Sequence, residues 1–420
     1  MLYGSDEGLR GPAVRFSNAG RGAMFGAAAT AGDLNADGCD EAIVGLPSGG
    51  LNQRGLALVY KGDPDGLQPF SFDDQVNPQI ALAGRDKLQV GAALATGYLN
   101  DDEFADLVVG APNAALADNE TIVDPCGEVY VIFGSTRWGL DNIEQAIKLD
   151  QDILSAGGQK EQADKFGSAL FVANFDSENF DDIAVGVPGE TLFDNLSSEV
   201  KSAGVVQVFV SSPELSGLGD FIIHQGLAAI VGAPEQGDRF GTAVAAGQFD
   251  ASSGIDLVVG IPSEAIGTAR LAGGVQILYD TDQGDNAAKH EFWGQDSFGL
   301  SQGTEELDRF GSVIGIGNFN GDSFADLAIG MPNEALGIKQ NAGLVTILYG
   351  SQSGLTSFQS QTLNSATPGL KSAIDTNAFG AALSTASKVI VRDAVKKCGA
   401  LCRLLGGQER RGATQSSQQK

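Results

Sequence analysis

Hydrophobic and polar positions along this 420-residue chain follow one pattern that recurs five times. Each copy opens with Phe-Gly or Val-Gly and a short apolar run, passes through a polar stretch, and returns to a second apolar run that ends in Gly-x-Pro. The copies start at Phe25, Val90, Phe166, Phe240 and Phe310, so neighbouring starts are 65 to 76 residues apart. A regular period of this length is the signature of a repeat architecture.

Within each copy, the pattern predicts four β-strands. In the fifth copy, the first strand is expected at Gly311–Gly317 and the second at Ala325–Gly330, on either side of the polar stretch. The third strand alternates in period two with β-branched side chains. It begins in the successive copies at Gly55, Gly127, Gly204, Gly274 and Gly343. A fourth strand precedes the next copy, for example at Ile80–Ala83. Four strands per repeat are typical of a propeller blade, so the predicted fold class is an all-β β-propeller rather than a sandwich.

The two ends of the chain carry incomplete copies of the unit. The sequence LYGSDEGL at Leu2 nearly repeats LYGSQSGL at Leu348, which indicates that the chain opens in the third strand of a blade. A sixth Phe-Gly copy starts at Phe379 and stops where its polar stretch is expected. If residues 1–24 supply closing strands for this partial copy, residues 1–386 form a propeller of six blades. Seven blades are the alternative that the sequence leaves open.

Residues 387–420 do not continue the repeat. They carry eight Lys or Arg and two acidic residues, whereas the whole chain has a formal charge of −27. Their first part predicts a short amphipathic helix and the polar remainder a disordered end. Two interpretations of this tail stay open, a native basic extension and the product of a truncated gene or shifted reading frame.

The polar stretches lie between the first and second strands, and oxygen-bearing residues recur in them at alternate positions. Counted from the start of each loop, positions one, three, five and nine offer side-chain oxygens, and position seven offers its carbonyl group. Calcium takes six to eight such oxygens, and recurrence in five copies favours calcium sites over solvated turns. The predicted ligands, loop by loop, are Asp33, Asn35, Asp37, Cys39 and Glu41; Asn100, Asp102, Phe104 and Asp106; Asn174, Asp176, Glu178, Phe180 and Asp182; Asp250, Ser252, Gly254 and Asp256; and Asn318, Asn320, Asp322, Phe324 and Asp326.

The five loops differ in how many charged ligands they offer. Calcium affinity follows ligand charge and completeness, so the predicted order of occupancy is the first, third, fifth, fourth and second loop. The fourth loop has Gln248 at position one and the second has Tyr98, so neither begins with a carboxylate. An EF-hand is excluded, because a strand follows each loop and the fifth loop, taken as the example, has no acidic residue at position twelve.

Composition and motifs argue against several other functions. The charge of −27 disfavours nucleic acid binding, and no apolar stretch is long enough to span a membrane. The opening residues lack the basic start and apolar centre of a secretory signal peptide. His224 and His290 stand without the partners that a catalytic triad or zinc site needs, and no GxxxxGK[ST] phosphate-binding motif occurs. The chain is therefore expected not to be an enzyme.

The Phe-Gly start, the loop pattern D-x-N-x-D-G-x-x-D/E and the closing Gly-Ala-Pro at Gly110 together resemble the FG-GAP repeats of integrin α-subunit β-propellers. Similar repeats occur in glycosylphosphatidylinositol-specific phospholipase D and in many bacterial secreted proteins. The resemblance covers roughly residues 1–386. It implies an extracellular or cell-surface propeller, with calcium on the loops of one face and a protein or glycan ligand on the opposite face.

Two functions stay open on this basis. The first is a calcium-binding protein-interaction or cell-adhesion module. The second is an accessory propeller, or a fragment, of a secreted hydrolase whose catalytic domain lies outside the chain. The longest connections between second and third strands, Asn113–Cys126 and Gly189–Ala203, are the expected partner surface. The pattern predicts neither the identity of the ligand nor the oligomeric state.

Overall fold

The computed structural model describes residues 24–50, 54–63, 67, 79–80, 88–118, 121–123, 125–136, 146–151, 160–176, 179–194, 196–211, 219–228, 230–281, 289–297, 300, 303–367 and 378–383. Four predicted features lie wholly or partly outside these residues: the closing strands of residues 1–23, residues 81–83 of the predicted fourth strand, the ligand Glu178 and the tail 387–420.

Five antiparallel sheets of four strands follow one another along the described chain. The first contains β1 (Ala29–Gly32), β2 (Glu41–Leu46), β3 (Leu56–Tyr60) and β4 (Gln79–Ile80). The second contains β5 (Ala93–Gly97), β6 (Asp106–Ala111), β9 (Glu128–Ile132) and β10 (Ile147–Leu149), with the hairpin β7 (Leu116–Asp118) and β8 (Thr121–Val123) between β6 and β9.

The third sheet contains β11 (Ala169–Ala173), β12 (Asp182–Val187), β15 (Val205–Val210) and β16 (Gly219–Ile223), with the hairpin β13 (Leu192–Phe193) and β14 (Glu199–Val200) inserted before β15. The fourth contains β17 (Ala243–Gly247), β18 (Asp256–Ile261), β19 (Gly274–Leu278) and β20 (Glu291–Trp293). The fifth contains β21 (Val313–Gly317), β22 (Asp326–Met331), β23 (Leu344–Tyr349) and β24 (Thr356–Leu363).

These strands confirm the predicted four-stranded unit. In the fifth sheet, β21 and β22 pair from Val313↔Gly330 to Gly317↔Asp326, on either side of the polar stretch. Every third strand begins within one residue of the glycine predicted to start it. The first strands of successive sheets also contact each other, in the order β1, β5, β11, β17 and β21. This arrangement of inner strands side by side is that of a β-propeller, and the all-β propeller prediction is confirmed.

A blade that packs between two neighbouring blades buries both faces of its sheet. In β6, Leu107 and Val109 pack in one cluster with Ile43 of the first blade. Val108, on the other face of the same strand, packs in a second cluster with Ile183 of the third blade. Two-sided burial explains why the second strands are continuous apolar runs rather than alternating ones.

The glycines of the Phe-Gly and Gly-x-Pro segments meet where one blade joins the next. A Cβ atom added to Gly110 of the second blade would lie 2.2 Å from the carbonyl oxygen of Gly167 in the third. Gly167 has a φ of +83°, which glycine adopts without strain. The recurrent glycines therefore allow two backbones to approach at each junction.

The prediction of six blades, with seven as the alternative, is wrong for the described residues, which form five. The sixth copy docks on the fifth blade, since Phe379 bridges to Gly343 and the Gly380 carbonyl oxygen approaches Gly330 as at the other junctions. Within its described residues 378–383, however, this copy adds no strand. The reason lies in its sequence, which lacks the polar loop and the second apolar run needed to pair into a sheet.

Candidate metal centre

The five polar loops comprise residues 33–41, 98–106, 174–182, 248–256 and 318–326, and each joins the first strand of a blade to the second. They therefore lie at one end of the blades. Main-chain hydrogen bonds connect adjacent loops: Ala105 N donates to Asp33 O at 3.0 Å, and Ala325 N donates to Gln248 O at 2.8 Å. These bonds join the first loop to the second and the fourth to the fifth on one face of the propeller.

The acidic residue at position nine has the same two partners in every loop. One of its oxygens accepts the backbone N–H of position two at 2.6–3.0 Å. In four blades, the other oxygen accepts an N–H from just beyond the third strand at 2.8–3.0 Å. In the first blade, the corresponding oxygen of Glu41 accepts the Gly62 N–H at 3.3 Å and also the side-chain amide of Asn35. The five residues are Glu41, Asp106, Asp182, Asp256 and Asp326. Position nine, predicted only as a metal ligand, therefore also fastens each loop to its blade.

Burial sets the charge balance of these position-nine groups. Each is nearly inaccessible to solvent, and burial raises the pKa of Glu41, Asp106, Asp182 and Asp256 to about 7. The two backbone hydrogen bonds oppose the shift only in part. Burial also raises the pKa of Asp326. The ionised carboxylates need a compensating positive charge, which a nearby cation would provide.

The first loop turns its predicted side-chain ligands inward. The Asp33 carboxylate accepts N–H groups from Asp37 at 3.1 Å and Gly38 at 2.9 Å. Asn35 Oδ1 accepts the Asp37 N–H at 2.8 Å, and Asp37 Oδ1 accepts the Cys39 N–H at 3.0 Å. Gly38 supplies the bend, with a φ of +86°. The side-chain oxygens at positions one, three and five therefore surround the turn.

The fifth loop is built in the same way but begins with an amide. Asn318 Oδ1 accepts the Gly321 N–H at 2.7 Å, while its Nδ2 donates to the Asp322 carbonyl oxygen at 2.5 Å. Asn320 Oδ1 accepts the Asp322 N–H at 2.8 Å, and Asp322 Oδ1 accepts the Phe324 N–H at 2.7 Å. The side chain at position one thus closes this loop with a hydrogen bond of its own.

The second loop has the weakest set of oxygens. Tyr98 at position one uses its backbone to exchange hydrogen bonds with Asp181 of the third blade, at 2.9 Å and 2.8 Å. Asn100 Oδ1 accepts the Asp102 N–H at 3.2 Å, and Asp102 Oδ1 accepts the Phe104 N–H at 2.9 Å. The third loop is described at Asn174, Asp176, Phe180 and Asp182.

The fourth loop contains a cluster that the sequence did not reveal. Asp250, Asp256 and Asp280 bring carboxylate oxygens within 4.8 Å of one another, and among the described residues they form the one such group of three acidic, His or Cys side chains. Lys289 Nζ lies 3.3 Å from Asp250 Oδ2 and 3.2 Å from Asp280 Oδ2. Asp280 and Lys289 were missed because they lie outside the loop in sequence.

The chemistry of the first loop fits calcium. It combines three carboxylates, one amide oxygen and one main-chain carbonyl group, all of them hard oxygen ligands. A carboxylate oxygen that accepts one N–H keeps acceptor capacity for a cation. The same hydrogen bonds also satisfy a turn without metal. Which loops bind calcium therefore stays a prediction.

The opposite end of the blades holds a second recurrent set of polar residues, which we call the acid clusters. Each consists of a Gln, a Glu and an Asp, and the Gln amide donates to the Glu at 2.6–2.8 Å. The three clusters are Gln151, Glu190 and Asp164; Gln225, Glu264 and Asp238; and Gln295, Glu334 and Asp308. The recurrence of Asp two residues before Phe-Gly and of Glu two residues after Gly-x-Pro was the available signal.

Both histidines bind backbone groups. His224 Nδ1 accepts the Gly226 N–H at 3.0 Å, and His290 Nδ1 accepts the Tyr279 N–H at 3.3 Å. Burial lowers the pKa of His224. Each histidine therefore holds a neighbouring backbone group, while the absence of enzymatic activity stays a prediction.

Comparisons with known proteins match this architecture. Residues 310–348, which run from the Phe-Gly start of the fifth blade into its third strand, match the FG-GAP repeat family. The chain is 30% identical to human phosphatidylinositol-glycan-specific phospholipase D over 199 residues, which are 46% of this chain and 21% of that protein. It is 26% identical to integrin alpha-5 of Xenopus laevis over 240 residues, 56% of this chain and 20% of the integrin. It is 30% identical to integrin alpha-PS5 of Drosophila melanogaster over 171 residues, 40% of this chain and 15% of that protein.

The alignments span about a fifth or less of the length of these relatives. The chain is a β-propeller with an FG-GAP repeat at residues 310–348 and similarity to integrin α chains, and the predicted resemblance is confirmed. No helix of the length and hydropathy required to cross a membrane occurs in the described part of the chain.

Proposed function

We propose that this chain is a calcium-binding FG-GAP β-propeller that acts as an extracellular or cell-surface interaction and adhesion module. The main observation in support is the set of five polar loops on one face, each closed by a buried carboxylate that needs positive charge. The similarity to two integrin α chains supports the adhesion role and the location. We propose no catalytic role for the chain.

In this proposal, calcium stabilises the loop face. Asp33, Asp37 and Glu41 would hold the ion in the first loop, with the amide oxygen of Asn35 and the carbonyl group of Cys39. A bound calcium ion supplies divalent positive charge to the buried carboxylates and joins the two ends of the loop. Such an ion would rigidify the connection between first and second strands.

The partner would bind the opposite face, where the connections between second and third strands lie. Both of the long connections form hairpins, β7–β8 and β13–β14. Apolar side chains are exposed there: Phe193 is 64% exposed, Leu196 85% and Ile338 98%. Exposed apolar residues on protruding loops are suited to contact a protein or glycan partner.

The test is attachment of cells to surfaces coated with the purified chain, in calcium and in excess chelator. We expect attachment in calcium, reduced attachment in chelator, and at least a several-fold loss for the double variant F193S/L196S. F358S is the matched control, because Phe358 is 73% exposed on the outer strand β24. Equal attachment of the double variant and the control would contradict the proposed face.

An accessory propeller of a secreted hydrolase is the second candidate. It is supported by the similarity to the human phospholipase, of which the chain covers 21%. Absence of attachment in calcium, together with a hydrolase domain encoded in the adjoining sequence, would favour this second function over adhesion.

A further inference from the structure

The fourth blade departs from the others at one corner of its polar loop. The residue after the third strand, whose N–H donates to the position-nine carboxylate, is Asp280 in the fourth blade. The corresponding residues of the other blades are Gly62, Gly134, Ser211 and Gly350. Asp280 is 5% exposed and adds a third buried carboxylate to Asp250 and Asp256. Three such groups in close contact require positive charge.

Lys289 supplies a positive charge at this corner. Its ammonium group bridges Asp250 and Asp280, at 3.3 Å and 3.2 Å from their Oδ2 atoms. Extending the strand pairing places Lys289 opposite Tyr279, and the residue opposite the corresponding position is Gly219 in the third blade and Thr356 in the fifth. The additional acid and the lysine therefore occur together in the fourth blade.

Other polar groups of the fourth loop bind one another, which leaves fewer oxygens for a cation than calcium needs. Gln248 at position one donates its Nε2 to the Ser252 carbonyl oxygen at 2.5 Å. Asp250 Oδ1 accepts the Ser252 N–H at 2.7 Å and also the Ser252 hydroxyl group. Asp250 Oδ2 accepts the Lys289 ammonium group. Calcium needs six to eight oxygens, whereas an ammonium group is satisfied by a few acceptors.

We infer that the fourth loop is a built-in ion-pair site, in which the Lys289 ammonium takes the place of a metal ion. The fourth blade then binds no calcium in the wild-type chain, and loss of Lys289 converts its three buried carboxylates into a calcium site. The inference rests on the proposed function only in taking calcium as the ion that these loops prefer.

The experiment compares calcium bound per chain in the wild type, K289M and K289Q by equilibrium dialysis and elemental analysis. K201M is the matched control, because Lys201 forms an exposed pair with Glu199 at 3.3 Å, away from the loops. We expect each Lys289 variant to bind one more calcium ion than the wild type, and K201M to match the wild type. If a Lys289 variant is unfolded in chelator, recovery of its circular dichroism on adding calcium is the supporting result.

Equal calcium content in the wild type and both folded Lys289 variants would overturn the inference, as would failure of an unfolded variant to recover with calcium. The outcome is separable from that of the proposed function. A wild type that binds no calcium beside Lys289 variants that bind one would contradict the proposed calcium role and support the inference. A wild type that binds calcium, with the same calcium content in the Lys289 variants, would support the proposed calcium role and contradict the inference.

Discussion

Both ends of the blades bury carboxylates, but they neutralise them differently. At the loop end, a group such as Asp182 receives two backbone N–H groups and faces a loop of polar oxygens. At the opposite end, Glu190 lies beside Asp164 and accepts the Gln151 amide at 2.6 Å. Burial first, and then the charge of Asp164, raise the pKa of Glu190 to about 8. Burial raises the carboxyl pKa at both ends, but the loop end adds further oxygens that could hold a cation, whereas the opposite end places two acids side by side.

The second blade shows that the acid pair is a single unit. In the third blade, the carbonyl group of Asp164 accepts the N–H of Gly189. In the second blade, the carbonyl group of Leu88 accepts the N–H of Asn113 in the same way, so Leu88 occupies the position of the Asp in the acid cluster. Ala114 occupies the Glu position by the same criterion. Both residues are buried in the apolar core. Because the two acids are replaced together, the cluster is dispensable for folding a blade, whereas an acid at position nine occurs in all five.

The largest effect is expected from loss of a position-nine carboxylate. Asp106→Ala leaves the buried N–H groups of Leu99 and Gly134 without their acceptor. We expect unfolding free energy to fall by about 4 kcal/mol, since each unsatisfied buried donor costs ~1–3 kcal/mol. Urea unfolding in chelator measures it, with Asp102→Ala in the exposed part of the same loop as control. Similar losses in the two variants would show that position nine does not fasten the loop.

An intermediate effect is expected at the acid clusters, through pH. The folded pKa of Glu190 is about 8 against 4.5 for the ordinary group, and that of Asp164 is about 7 against 3.8. The folded state therefore holds protons that the unfolded chain releases. This contribution is fully present below about pH 4 and is lost as pH rises through about 8. The charge of the neighbouring Glu161 carboxylate also raises the pKa of Glu190.

Glu190→Gln removes one of the two titrating groups of this cluster. We expect the fall in unfolding free energy between pH 5.5 and 8.5 to be smaller in the variant than in the wild type, by on the order of 2 kcal/mol. Denaturant unfolding in chelator at both pH values measures the difference. Ser197→Ala, in the exposed turn of the third-blade hairpin, is the control and should keep the wild-type slope. An unchanged slope in Glu190→Gln would mean that the cluster does not hold protons.

The fold was largely predictable because it rests on local patterns. Period-two alternation located the third strands, which began within one residue of their predicted starts, and the apolar runs on either side of the polar stretch located the first and second strands. The blade count failed because it depended on the ends of the chain. There, the partial copy at Phe379 carries the glycine needed for docking without the polar loop and the second apolar run needed for a sheet.

The site was predictable only where its residues are close in sequence. The loop residues recur at fixed spacing, so hydrogen bonds within a loop could be anticipated, as the Asp37 N–H and the Asp33 carboxylate show. Lys289 is 39 residues from Asp250 in the chain, and Gln151 is 39 residues from Glu190. Contacts of that range depend on strand pairing and blade packing, which a single polar residue does not reveal in sequence.

The smallest effect is expected between two calcium loops of different composition. Asp37→Ala removes a ligand from the loop with the most complete ligand set, and Asp102→Ala removes one from the loop with the poorest set. Calcium should raise the unfolding midpoint of the wild type by mass action, and magnesium should not match it. We expect the calcium-dependent stabilisation to fall by about 1 kcal/mol more in Asp37→Ala, the free-energy equivalent of a somewhat less than tenfold loss of affinity. Thermal unfolding in calcium and in chelator isolates this quantity, because subtraction removes the metal-independent contact of Asp37 with Lys61 at 3.4 Å. Equal losses in the two variants would reject the predicted ranking of the loops, and no calcium response in the wild type would contradict the proposed calcium role.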